Sequence, residues 1–94
     1  MFAIRVVVDG VARLSGRLDA DEAPQALTTL QSLPGPLTLD CSDLEYISSA
    51  GLGAVVQTYK RLNAAGQELR IVNLRPNVRN VFTYAGLLRL LQIE

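Results

Sequence analysis

Three features of the 94-residue sequence predict an α/β fold in which a mixed β-sheet of four to five strands carries helices packed against it. Strand-like and helix-like runs alternate along most of the chain. The stretch Leu52–Leu62 carries the strongest helical periodicity. The later elements are joined as strand–helix–strand crossovers, which favour parallel pairing with helices laid on the sheet.

Each element has its own local reason. Ala3–Val8 is rich in β-branched residues, and Asp9-Gly10 is a two-residue hairpin signal, so Val11–Ser15 is expected to return as a second strand. A strict two-residue turn pairs Val6 with Arg13 and Arg5 with Leu14, which leaves neither face cleanly apolar; a longer loop is the alternative. A helix follows the acidic cluster Asp19, Asp21, Glu22. Asp21 is the expected N-cap, because Pro24 then falls at the third helical position, where no intrahelical donor is needed. Ala23, Ala26, Leu27 and Leu30 have helical spacing, and Leu33-Pro34-Gly35-Pro36 ends the helix.

Leu37–Asp40 reads as a short buried strand. In the second helix Leu52, Val55, Val56, Tyr59 and Leu62 share one face, and Gly66 suits the position just past its end. Leu69–Val72 is the next strand. Pro76 can open a third helix as its first residue, with Val78, Val81, Phe82 and Ala85 facing inward and Gly86 closing it. Leu87–Ile93 reads as a helical turn followed by an edge strand.

Composition removes several function classes. With 49% hydrophobic and 19% charged residues the chain is not of the disordered class. Size scaling gives an unfolded surface of about 14,800 Å² and a folded one of about 5,300 Å², enough for one core, so residues 1–94 are expected to form a single domain. Cys41 is the only cysteine, which excludes disulfide stapling. Histidine is absent, which removes Ser-His-Asp and Cys-His catalysis and His-ligated zinc. Nine basic residues balance nine acidic ones, so no direct nucleic-acid partner is expected. The opening residues lack the features of a signal peptide, and no apolar run approaches the roughly 20 residues of a membrane span. The expectation is a cytoplasmic protein without membrane insertion.

The informative segment joins the strand ending at Asp40 to the second helix, and contains Ser48-Ser49-Ala50-Gly51-Leu52-Gly53. Serines at a helix start have two readings. Either Ser48 or Ser49 can cap the helix by accepting an orphan N–H. On the residues alone the cap is the favoured reading; the alternative is a phosphoacceptor, because the free N–H groups and the helix dipole favour negative charge. Gly51 and Gly53 suit close packing against the sheet. Walker spacing and its lysine are absent, and no histidine exists to activate a hydrolase serine.

Other residues take plainer readings. Cys41, after a buried strand, is expected to be an inert, partly buried thiol. Tyr46, Tyr59, Phe82 and Tyr84 are expected in packing rather than in a ligand cage. Solvated helix faces account for Lys60, Arg61, Arg75 and Arg79. Asp40 and Asp43 lack the supporting ligands of a magnesium site, and no metal or cofactor is expected.

The sequence resembles the STAS domain family, specifically its stand-alone bacterial anti-sigma-factor antagonists, over nearly the whole chain. Leu14-Ser15-Gly16-Arg17-Leu18-Asp19 is similar to the family's turn after its second strand. Leu39-Asp40 followed by Ile47–Gly53 is similar to its central signature, and Pro76-Asn77-Val78, Phe82 and Gly86-Leu87 to its closing pattern. The resemblance implies a STAS-like sandwich and a non-catalytic, partner-switching protein. A kinase that is also the anti-sigma factor binds the unphosphorylated form, phosphorylates one serine at the start of the second helix and is thereby released; a phosphatase reverses this. Alignment on Gly51-Leu52-Gly53 puts Ser49 at the phosphorylated position. Ser48 then falls where many members have Asp, and Ala50 where many have a second Ser. Asp19 matches an acidic residue expected beside the site, with Asp43 a further candidate. The implied partner patch is Asp19, Ser48, Ser49, Ala50, Gly51 and Leu52. The same resemblance leaves room for a weak homodimer, for a non-phosphorylated STAS subunit of an ABC-type transport assembly or stress-signalling scaffold, and, third, for a nucleotide-binding STAS domain.

Overall fold

A computed structural model describes residues 1–94. The elements run β1 (Ala3–Val8), β2 (Val11–Leu18), α1 (Ala23–Gln31), β3 (Leu37–Ile47), α2 (Ser49–Ala64), β4 (Leu69–Val72), α3 (Pro76–Tyr84) and β5 (Gln92–Ile93). One five-stranded sheet has the order β1-β2-β3-β4-β5. β1 is antiparallel to β2, and every later neighbour is parallel. This is the mixed sheet that the alternation of elements predicts. Its accessible surface, 5264 Å², is also the value that size scaling predicts.

A bulge resolves the hairpin register. The turn is the two-residue Asp9-Gly10, with Gly10 at φ +80°. Val8 pairs with Val11, but past the bulge at Val7 the pairs are Val6–Ala12, Arg5–Arg13 and Ile4–Leu14. One extra residue on β1 thus sets Ile4 beside the buried Leu14, where an unbroken ladder would set Arg5.

The start of α1 also differs from expectation. Asp21 is exposed and caps nothing; the Asp19 carboxylate accepts the Glu22 N–H at 3.1 Å. The helix therefore begins at Ala23 with Pro24 in its second position. Asp19 lies at the strand end, three residues before the orphan donor, and reaches it first. At the other end of α1, Arg61 Nη2 donates to the carbonyls of Leu30 (3.0 Å) and Leu33 (2.7 Å), so this arginine ties α2 to the end of α1.

β3 does not stop at Asp40 but runs on to Ile47. Two irregularities shift its ladder with β2, between Arg13–Asp40 and Ser15–Asp43 and again between Gly16–Leu44 and Arg17–Tyr46. The core residues Leu39, Cys41, Leu44 and Ile47 are consequently not evenly alternating, which hides the strand from a period-two reading. β4 pairs only as far as Asp40–Val72. Beyond it, Arg75 Nε donates to the Ser42 carbonyl at 3.0 Å and Asn77 Nδ2 to that of Glu45 at 2.8 Å. α3 thereby covers an edge that a strand leaves free, with Val78 and Phe82 in the core. Arg61, on α2, and Arg75, just before α3, thus both hold neighbouring elements in place, although Arg75 stays exposed to solvent as expected. Ala85 and Tyr84 depart from expectation: α3 ends at Tyr84, Ala85 lies past the inward-facing turns and is exposed, and Tyr84 is 88% exposed.

Asp40 is the charged residue of the interior. Its carboxylate accepts from Arg13 Nε (3.2 Å), Asn73 Nδ2 (3.1 Å) and the Ser42 N–H (3.0 Å). Burial pushes its pKa up, but the bonds from Asn73, Ser42 and Arg13 outweigh burial and hold it at about 2. Next to it, burial and then the Asp40 charge push the Cys41 thiol up to about 12, an inert thiol as the sequence suggests. A folded-state pKa below the unfolded value stabilises the fold above pH ~4, and this contribution is lost as pH falls towards 2. Asp40→Asn is expected to cost about 2 kcal/mol at pH 7 and to flatten the pH dependence of stability between pH ~4 and ~2, read by urea denaturation across that range.

Candidate functional site at the start of the second helix

The carboxyl ends of β2 and β3 lie level, with Leu18 opposite Ile47. From there the Ser48 N–H donates to the Leu18 carbonyl at 2.9 Å, and α2 leaves the sheet. Ser48 is the N-cap: its backbone is extended (φ −90°, ψ 171°), and its hydroxyl accepts the Gly51 N–H at 3.1 Å. Its carbonyl accepts the Leu52 N–H at 2.9 Å, the first bond of the helix. Of the two serines, Ser48 is therefore the cap.

Ser49 is the first residue of α2 and is exposed, as is Ala50. The N–H groups of these two residues have no intrahelical acceptor. Gly51 and Leu52 turn inward. A Cβ on Gly51 would lie 2.8 Å from both the Leu18 Cγ and its carbonyl oxygen and 2.9 Å from Ile47 Cγ1, whereas one on Gly53 would meet nothing within 4 Å. The expectation of close packing therefore holds for Gly51 and fails for Gly53, which faces solvent. Asp19 follows Leu18 at the same end of the sheet. Its carboxylate is turned to the Glu22 N–H.

The neighbourhood thus brings together Asp19 and Ser48–Leu52, with Gly51 and Leu52 beneath the surface rather than on it. Asp43 is not among them. It pairs with Ser15 and lines a small cleft with Arg5 and Arg13 away from the helix start. Asp40, engaged by Arg13, Asn73 and Ser42, has no role at the helix start either.

A shallow cleft of about 360 Å³ lies beside Ala50 and Gly53, between the start of α1 and the first half of α2. Ala20, Ala23, Pro24 and Leu27 form one wall and Ala50 and Gly53 part of the other. Sequence reasoning missed this feature. Its only sequence signal is the run of small residues, Ala20 and Ala23 against Ala50, Gly53 and Ala54, whose facing depends on how the helices pack.

Two stability measurements test this geometry. Ser48→Ala, by removing the cap, is expected to cost about 1 kcal/mol, while Ser49→Ala stays within about 0.5 kcal/mol of the parent protein. Gly51→Ala is expected to destabilise by about 1–3 kcal/mol through overpacking, and Gly53→Ala to stabilise by up to about 1 kcal/mol. Chemical denaturation of the four variants checks both.

The chain is similar to known proteins in sequence and in fold. The model of the family described as Mlab, STAS domain matches residues 5–92. The anti-sigma-B factor antagonist of Listeria monocytogenes is 31% identical over 85 residues, covering 86% of this chain and 75% of that protein. BtrV of Bordetella bronchiseptica, named as an anti-sigma factor antagonist, is 40% identical over 57 residues, covering 61% of this chain and 49% of that relative, about half its length. Among solved structures, the anti-sigma factor antagonist SpoIIAA, a Bacillus cell fate determinant, shares the fold. Its unphosphorylated form aligns with a TM-score of 0.72 at 19% identity, over 100% of this chain and 87% of that one. Its phosphorylated form aligns with 0.71 at 21%, over 100% and 91%. With a match along residues 5–92 and this sheet topology, the chain belongs to the STAS domain family.

Proposed function

We propose that this protein is an anti-sigma factor antagonist whose hold on its anti-sigma factor is switched by phosphorylation of Ser49. The observation that carries this reading is the division of labour at the helix start. Ser48 uses its hydroxyl to cap α2, while the Ser49 hydroxyl is exposed and takes no part in holding the fold. Modification of Ser49 therefore costs the domain no interaction. The free N–H groups and the dipole at the start of a 16-residue helix favour the added charge.

In this reading the unphosphorylated surface around Asp19, Ser48, Ser49 and Ala50 receives the partner, and Gly51 and Leu52 set its shape from beneath. The apolar cleft beside Ala50 and Gly53 accepts the partner's apolar side chains. The partner is an anti-sigma factor that is also a serine kinase, and a phosphatase reverses its action. The protein itself is the substrate and performs no chemistry. Phosphate adds a charge of about −2 at the centre of the patch, near Asp19, so a docking partner meets repulsion and a desolvation cost. A loss of about 3 kcal/mol weakens binding more than a hundredfold. Support for a switch that leaves the fold intact comes from SpoIIAA, whose two forms align with this chain almost equally well. The names of the relatives support the class of partner.

The test is intact mass with site mapping on protein purified from its native host with phosphatases inhibited. A gain of about 80 Da on Ser49 is expected. Ser49→Asp should then bind the cognate kinase more than about a hundredfold more weakly than Ser49→Ala, measured by titration calorimetry. Absence of phosphate under every growth condition, or equal affinity of the two variants, overturns the switch. It would leave the patch to a constitutive subunit of a transport or signalling assembly, with Ser49 a bystander to the cap.

A further inference from the structure

The face of the sheet turned away from the helices carries a second polar constellation. Ala12 and Leu14 enter the core with residues of all three helices, so Arg13 and Ser15, which alternate with them along β2, lie on the opposite face. Strand pairing extends each of these two residues into a row across three strands. Arg13 lies between Arg5 of β1 and Asp40 of β3, and Ser15 lies between Ala3 and Asp43. The small side chains Ala3 and Ser15 leave a depression of about 160 Å³, walled by Arg5, Arg13 and Asp43.

The charges around this depression are unequally engaged. Asp40 accepts from Arg13, Asn73 and the Ser42 N–H, and Arg13 gives Asp40 only its Nε. Arg5 and Asp43 belong to neither ion pair of the molecule. Arg5 stands directly opposite Arg13 instead, a like-charge pairing that is destabilising in a sheet. Two guanidinium groups beside the Ser15 hydroxyl offer convergent donors to a carboxylate. Asp43 stands on the far side, two strand spacings or roughly 10 Å across the sheet from β1, where it repels a simple anion and attracts a cation. With Arg13 neutralised by Asp40, the charges left over are one positive and one negative, so the complementary ligand is neutral overall and carries both signs. We propose that this depression binds a free α-amino acid, its carboxylate held by Arg5, Arg13 and Ser15 and its ammonium group by Asp43. One zwitterion then relieves the Arg5–Arg13 repulsion and supplies the counter-charge of Asp43. The volume holds the charged end of such a molecule and leaves its side chain to solvent, so the site selects the class rather than one member. Arg5 and Asp43 are exposed, and charges so close to water bind weakly, with an expected dissociation constant in the millimolar range. The site shares no residue with the patch around Ser49.

Amide chemical shifts of the full chain, followed at constant ionic strength during separate titrations with L-alanine, acetate and ethylammonium to about 50 mM, test the site. With L-alanine, saturable shifts centred on Ala3, Arg5, Arg13, Ser15 and Asp43 are expected, at an affinity about tenfold or more above that of acetate or ethylammonium. Arg5→Gln should weaken L-alanine about tenfold or more. Asp43→Asn should weaken L-alanine to a similar degree yet tighten acetate, because the repulsion leaves with the charge. Circular dichroism checks that both variants are folded. No saturable shift with L-alanine overturns the proposal and leaves Arg5 and Asp43 as solvated charges. Acetate binding as tightly as L-alanine overturns it too, by reducing the depression to a plain anion site. So does a variant of either residue that binds L-alanine as the parent protein does.

Discussion

The parallel ladder between β2 and β3 sets the position of nearly everything else. It brings Leu18 and Ile47 level, and from that level the Leu18 carbonyl takes the Ser48 N–H. A helix starting one residue later has to pass directly over Leu18 and Ile47, and at Gly51 only a residue without a Cβ fits. The same long strand overshoots β4, whose pairing ends at Val72. The carbonyls of Ser42 and Glu45 are then left to Arg75 and Asn77. The geometry of the helix start and the docking of α3 are two consequences of one strand being longer than its neighbour.

That strand also marks the limit of what could be read in the sequence. Helix α2 was legible because Leu52, Val55 and Leu62 all enter the core, and its period belongs to the helix alone. Pro76 and Gly86 punctuate α3 for equally local reasons, one through a fixed φ and the other through φ +73°. The misreadings share a different origin. The bulge at Val7 and the two irregularities of β3 depend on which strand lies alongside, and each shifts the apolar pattern by one residue. Asp19 and Asp21 are equally good caps by type; the turn out of β2 decides between them. Ser48 and Ser49 are likewise indistinguishable by composition until the Leu18 contact fixes where the helix begins. Tyr84 shows the converse, since an aromatic side chain says nothing about burial once its helix has run past the sheet.

The arrangement at the start of α2 separates what holds the fold from what is presented to solvent within five consecutive residues. Ser48 caps, Gly51 and Leu52 pack, and Ser49 and Ala50 remain exposed. Such separation suits a switch that acts through charge. A group added at Ser49 disturbs no core contact, and its field is confined by screening to a radius of about 8 Å at physiological ionic strength. Only a partner seated directly on the patch feels it in full. A conformational switch would instead need a bistable element, and the cap, the glycine packing and the Leu18 bond all favour the same single position for the helix start.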